Sequence, residues 1–154
     1  MQRVTVPRAS YRQTLNRSIY TLTMFENEII TGSLDGEVWK AIPGYPGYLA
    51  STEGRVYSQK RKLIRRIDHS NKYDRVKIST VKGNKNRKIS HLVALAFCPK
   101  TEDQTEVHHR DINRNNNRPN NLQWVTPHQH KAIHRELKKE LKANKDRAKA
   151  GDTK

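Results

Sequence analysis

Residues 107 to 134 read VHHRDINRNNNRPNNLQWVTPHQHKAIH and hold five of the chain's seven histidines. His108 and His109 are adjacent and precede a run rich in asparagine, and His128, His130 and His134 follow it. The run has no apolar periodicity, so it predicts a long connection rather than a strand or helix. Asn and Asp suit such a connection because their side chains bond to nearby backbone and tolerate left-handed conformations. Beyond it, LQWVT predicts a strand. Thr126, Pro127 and Gln129 then spell a T-x-x-Q helix start with proline at the first position. The predicted order is strand, polar loop, strand, helix.

That order has chemical consequences. His130 and His134 lie four apart on one helical face, and strand alternation sends His108 and His109 to opposite sides. Neutral imidazole binds Zn, Ni, Mn and related divalent ions well. A strand histidine with one or two helical ones therefore makes a metal site with open positions. His109, turned away, is left to act as a base, and an ordinary imidazole pKa of about 6.5 suits proton abstraction near neutrality.

The rest of the chain bounds the partner. Lys and Arg outnumber Asp and Glu by 31 to 15 in 154 residues, a net charge of +16. Such an excess implies a polyanion, nucleic acid before membrane. The longest apolar stretch, LVALAF, is too short to span a bilayer. One cysteine, Cys98, excludes an intramolecular disulfide and any cysteine-type zinc finger, and it is expected to be a small buried apolar residue. A secretion signal is not recognisable, so the expected location is the cytoplasm.

Residues 1–36 are expected to be a basic N-terminal arm, from Arg3, Arg8, Arg12 and Arg17 with no acidic residue among the first 25; Met24 leaves an internal start open. Residues 37–90 predict short strands and tight turns, EVWKAIPGYPGYLASTEGRVYS followed by the alternating YDRVKISTV and a hairpin loop at KGNK, 82 to 85. HLVALAF predicts a short buried helix stopped by Pro99. Residues 91–135 hold the motif, and 136–154 are a basic helical tail whose last residues, AGDTK, should fray. Trp39 and Trp124 are expected to anchor the core, and His69 and His128 to be solvated or to meet phosphate.

HHRDINRNNNRPNNLQWVTP resembles the HNH endonucleases with a ββα-metal fold, most closely the phage- and intron-type homing nucleases. EVWKAIPGYPGYLASTEGRVYS is similar to the nuclease-associated modular segment that often precedes them. The resemblance runs over roughly residues 37 to 135. It implies an α+β fold, small antiparallel strands plus a ββα-metal motif with a basic C-terminal helix. It also implies His109 as general base, His108 and His130 as metal ligands, and Asn121 as the residue fixing the loop that orients His109. His134 is added as a second helical ligand on geometry. One divalent ion is expected, Mg or Mn for cleavage with Zn or Ni also able to bind. The expected partner of the monomer is double-stranded DNA, touched by Arg55, Arg75, Lys77, Arg110, Arg114, Lys131 and Arg135. A DNA-binding module that keeps the fold but has lost cleavage is the alternative. The chain departs from the family in having Ile112 where Gly is common and His91 where Arg is common.

Overall fold

The computed structural model describes residues 20–25, 28–81 and 83–151. Among the described residues, four antiparallel sheets and two α-helices make a mixed α+β architecture. The first hairpin pairs β1 (Tyr20–Phe25) with β2 (Glu28–Leu34). Within the expected arm, residues 28–34 are a strand whose Ile30 is buried with Trp39, Leu49 and Tyr57. Residues 1–19, which hold the arm's four arginines, lie outside the described residues.

Strands β3 (Trp39–Ala41), β4 (Tyr48–Ser51), β5 (Val56–Ser58) and β6 (Leu63–Ile64) form a meander in that order. Its turns hold Gly44, Gly47 and Gly54 at positive φ. In β7 (Arg75–Thr80) the buried Val76 and Ile78 alternate with exposed Lys77 and Ser79. Its partner β8 (Gly83–Lys88) starts earlier than expected, since Gly83, Asn84 and Lys85 pair with Thr80, Ser79 and Ile78 rather than forming the loop. Helix α1 (Ile89–Phe97) likewise begins two residues before HLVALAF and ends ahead of Pro99.

Strands β9 (Glu106–His109) and β10 (Leu122–Val125) pair with Leu122 opposite His109 and Gln123 opposite His108. The Thr126 hydroxyl accepts from the Gln129 amide at 3.1 Å and the Gln129 side chain accepts from the Thr126 amide at 2.9 Å. This reciprocal box opens α2 (Pro127–Gly151), which runs beyond the 140s. No helix among the described residues is long and apolar enough to cross a membrane.

One core joins the upstream strands to the motif: Ile42, Tyr48, Ala50, Val56, Val76 and Ile78 pack with Ile89, Leu92, Val93, Ala94, Leu122 and Trp124. Trp124 is 2% exposed and donates its indole N–H to the Ala94 carbonyl at 3.2 Å. Removing a side chain of that size costs about 3–5 kcal/mol. Trp39 is also buried, its indole bonded to Ser33 at 2.9 Å. Cys98 is only half-buried, its Sγ 3.6 Å from the Pro119 carbonyl, and burial pushes its thiol pKa up.

The loop between β9 and β10 has no apolar core, so polar bonds hold it. Asn121 does most: its Oδ1 accepts from the Asp111 amide at 3.0 Å, and its Nδ2 donates to Asp111 Oδ1 at 2.8 Å and the Asn116 carbonyl at 2.9 Å. Asp111 also accepts from the Asn113 amide and Asn116 Nδ2. At about 0.5–1.5 kcal/mol net per bond, such a set offsets a substantial part of the ordering entropy. One residue works against it. Ile112 has a φ of +66°, the left-handed region, while its side chain is 45% exposed. A β-branched residue there costs about 1–2 kcal/mol, and glycine's extra unfolded-state freedom takes back about 0.4–1 kcal/mol. Ile112→Gly should therefore raise stability by about 0.5–1 kcal/mol in urea unfolding; an unchanged or lower midpoint would show that the loop carries no strain at this position.

Candidate metal centre and nucleic-acid interface

Strand alternation in β9 separates two groups of side chains. Glu106 and His108 share one face, and His109 takes the other. On the first face α2 brings His130 and His134 to His108, with ring centroids 5.4 and 5.5 Å from His108 and 4.8 Å from each other. One nitrogen from each ring lies within 4.8 Å of the other two. The Nε2 atoms of His130 and His134 are 3.2 Å apart, already at the ~3.4 Å separation of imidazole nitrogens around a tetrahedral ion. A small approach by His108 would complete the triangle, so the donor set fits a divalent transition metal.

Glu106 supplies the orientation. Its Oε2 accepts from His130 Nδ1 at 2.6 Å, which leaves Nε2 as the nitrogen turned toward the cluster. A carboxylate behind a ligating histidine is the usual means of fixing its tautomer. Burial first, then the positive potential of neighbouring His130, holds the imidazoles of His108 and His134 below their ordinary pKa. Rings held neutral keep a lone pair to donate.

On the opposite face His109 is 5% exposed, and its Nε2 lies 3.2 Å from Asn117 Oδ1. Burial pushes its pKa down, opposed by the bond to Asn117 and the charge of Asp111. Its ring lies 6.2 Å from that of Tyr73. Lys88 and Arg114 sit 4.2 and 5.3 Å from the Tyr73 ring centre, so two cations flank this side. Asn121 touches Asp111 and Asn116, and it is Asn117 that meets His109 directly.

The expected DNA contacts divide. Lys131 and Arg135 line a cleft of about 560 Å³ with His130 and His134, and the cleft continues along α2 past Lys138 and Lys142. Arg114 lines the small recess shared by all four of these histidines, His109 included. Lys77 and Arg110 are exposed, and Arg75 is half-buried. Arg55, in contrast, is spent inside the fold. Its guanidinium pairs with buried Glu37 and donates to the Gly32 carbonyl at 3.0 Å. His128 is exposed, and His69, though largely exposed, pairs through Nδ1 with Asp74 at 2.6 Å. His91 packs edge-on against Trp124 at 5.0 Å.

Several of these groups escape a reading of the sequence. Glu106 had an available signal, since it stands two residues before His108 on a strand. Nothing local distinguishes Asn117 from its neighbours, or marks Asp74, because their bonds are made across the fold.

A strand bearing adjacent histidines, an asparagine-pinned loop, a second strand and a helix returning histidines to the first are the parts of a ββα-metal motif. Residues 87–132 match the HNH endonuclease family, and residues 37–79 match the NUMOD4 motif. The chain thus resembles the HNH endonucleases, with a NUMOD4-like segment ahead of the HNH-like one, and it is similar to the phage homing endonuclease I-HmuI. It is 40% identical to the DNA endonuclease I-HmuI of Bacillus phage SP01 over 92 residues, 57% of this chain and 52% of that one. It is 35% identical to an uncharacterised HNH endonuclease, L247, of Acanthamoeba polyphaga mimivirus over 94 residues, 59% of this chain and 23% of the relative. A solved structure of DNA binding and cleavage by I-HmuI matches with a TM-score of 0.55 at 32% identity, covering 67% of this chain and 59% of the other. The chain spans about half the length of I-HmuI.

Two outcomes follow for the histidine cluster. Glu106→Ala should weaken Zn binding about 10–100-fold by calorimetry without DNA, and unchanged affinity would remove Glu106 from the site. Because burial lowers the pKa of His108 and His134, these two rings should remain neutral in the metal-free chain as pH falls through the ordinary 6.5, read from their ¹⁵N shifts, and protonation of either above that value would contradict it.

Proposed function

We propose that the chain is a metal-dependent DNA endonuclease of the homing type, hydrolysing phosphodiester bonds to leave 5′-phosphate and 3′-hydroxyl ends. The observation that carries this reading is the convergence of His108, His130 and His134 on one side of β9 with buried His109 on the other. The homology to I-HmuI, described as a DNA endonuclease, supports it. HNH nucleases use one divalent ion. Here His108, His130 and His134 would hold it, and when bound it would supply Lewis-acid stabilisation of charge on the phosphoryl oxygens.

The chain's own groups do the rest. The cationic face of α2, with Lys131, Arg135, Lys138 and Lys142, draws duplex DNA along the cleft beside the histidines. Arg114 and Lys88, beside Tyr73, add positive potential near the scissile phosphate. His109 takes a proton from the attacking water as its oxygen bonds phosphorus. The P–O3′ bond breaks, and the leaving oxygen is protonated from solvent. In this reading residues 37–90 are a DNA-binding segment, 91–135 the nuclease, and 136–154 a tail along the DNA backbone. The protein acts as a monomer, with Mg or Mn the best ions for cleavage because their remaining positions are readily shared by water and phosphate.

The test is supercoiled plasmid incubated with Mg, Mn, Zn or Ni, and with a chelator. Wild-type protein should cut with Mg or Mn and stop on chelation. His109→Ala should lose about 10²–10⁴-fold in rate while still binding DNA. Salt-sensitive binding with no cutting under any ion would favour a silent DNA-binding module, and full activity in His109→Ala would overturn the base assignment.

A further inference from the structure

His109 is proposed above as the base, yet which of its nitrogens is free to accept a proton depends on the atom facing the other one. That atom is Asn117 Oδ1, 3.2 Å from Nε2. An amide oxygen only accepts, so Nε2 must carry the hydrogen and Nδ1 keeps its lone pair in the neutral ring. Turning the amide by half a rotation would present its N–H to Nε2 instead and force the opposite tautomer. What prevents this is the group on the far side of the amide. Asn117 Nδ2 lies 3.1 Å from Asp74 Oδ2, a carboxylate oxygen without a proton to give. A flipped amide would set two acceptors against each other in a buried place.

We propose that Asp74 is a positioning residue that fixes the tautomer of His109 through Asn117. The inference rests on the reading of His109 as the base. Asp74 is suited to this because it is itself held: it is 5% exposed, its Oδ1 accepts from His69 Nδ1 at 2.6 Å, and its backbone carbonyl accepts from the Ile89 amide at 3.0 Å. The second N–H of the Asn117 amide reaches the Asn115 carbonyl at 3.3 Å, consistent with the same orientation.

A separate observation shows that Asn117 is clamped from the same side of the chain. Gly54 has a φ of +74°, and a Cβ built there would lie 3.0 Å from Asn117 Cβ and 3.1 Å from its carbonyl carbon and oxygen. Glu53, beside it, pairs with Arg118 at 2.7 Å. Asp74, Gly54 and Glu53 all belong to the NUMOD4 match, whereas His109, Asn117 and Arg118 belong to the HNH match. The upstream motif therefore completes the base in addition to any contact it makes with DNA.

The experiment reads the tautomer directly, by long-range ¹⁵N–¹H correlation of the histidine rings in the full metal-free chain at alkaline pH. Wild-type His109 should be the Nε2–H form. Asp74→Asn can offer its own N–H to Asn117, and it should shift His109 toward the Nδ1–H form and slow cleavage about 10²-fold or more with Zn affinity unchanged. Exchanging the pair, Asp74→Asn with Asn117→Asp, restores an acceptor facing Nε2 and a donor behind it. That double variant should return the Nε2–H form and recover cleavage. A wild-type ring in the Nδ1–H form, or a tautomer unmoved by Asp74→Asn, would overturn the proposal. Both readings come from uncomplexed protein, so they stand whether or not His109 proves to be the base; that question is answered separately by cleavage in His109→Ala.

Discussion

A β-strand cannot turn two successive side chains to the same face, and the site depends on that constraint at His108 and His109. Because Leu122 and Gln123 pair opposite them, the strand's pitch is fixed and the two imidazoles are committed to different environments. A slip of one residue would exchange them. One ring joins a cluster of three histidines, and the other is enclosed with Asn117 and Tyr73. Metal binding and proton transfer make opposing demands on an imidazole lone pair, and under the proposed function these would fall to adjacent residues of one strand.

The cost is the connection between β9 and β10, which must be rigid without apolar filling. Two devices hold it. Within the loop, Asn121 and Asp111 bond to backbone and to each other, making a small polar frame in place of a core. From outside, Glu53, Gly54 and Asp74 grip Arg118 and Asn117. The upstream strands also share one hydrophobic cluster with Leu122 and Trp124, so the two matched segments pack into a common core beside the histidines. Under the proposed function this support would matter, because a misplaced base loses most of its effect.

Much of this was legible from residue order. Spacing alone placed His130 and His134 on one helical face, and Thr126 with Gln129 announced the helix start that the reciprocal bonds realise. Alternation in YDRVKISTV correctly buried Val76 and Ile78. What remained hidden were contacts across the fold. The basic composition of the first residues gave no sign that Ile30 would be buried against Trp39. Arg55 looked like any surface cation, and only the fold sets it against buried Glu37. Asn113, Asn115, Asn116 and Asn117 are equivalent by composition, yet it is Asn117 that meets both His109 and Asp74, the latter 43 residues upstream. Ile112 was visible as a departure from glycine, and its positive φ shows why glycine suits that position.

The central claim is that one ion sits among His108, His130 and His134 while His109 remains off the metal. Anomalous diffraction at the manganese edge, from crystals of the chain with uncleaved duplex DNA, tests it most directly. A single peak bounded by His108, His130 and His134, with a scissile phosphate oxygen beside it and His109 free of the metal, is the predicted result. A peak ligated by His109, or lying away from the three histidines, would contradict the account.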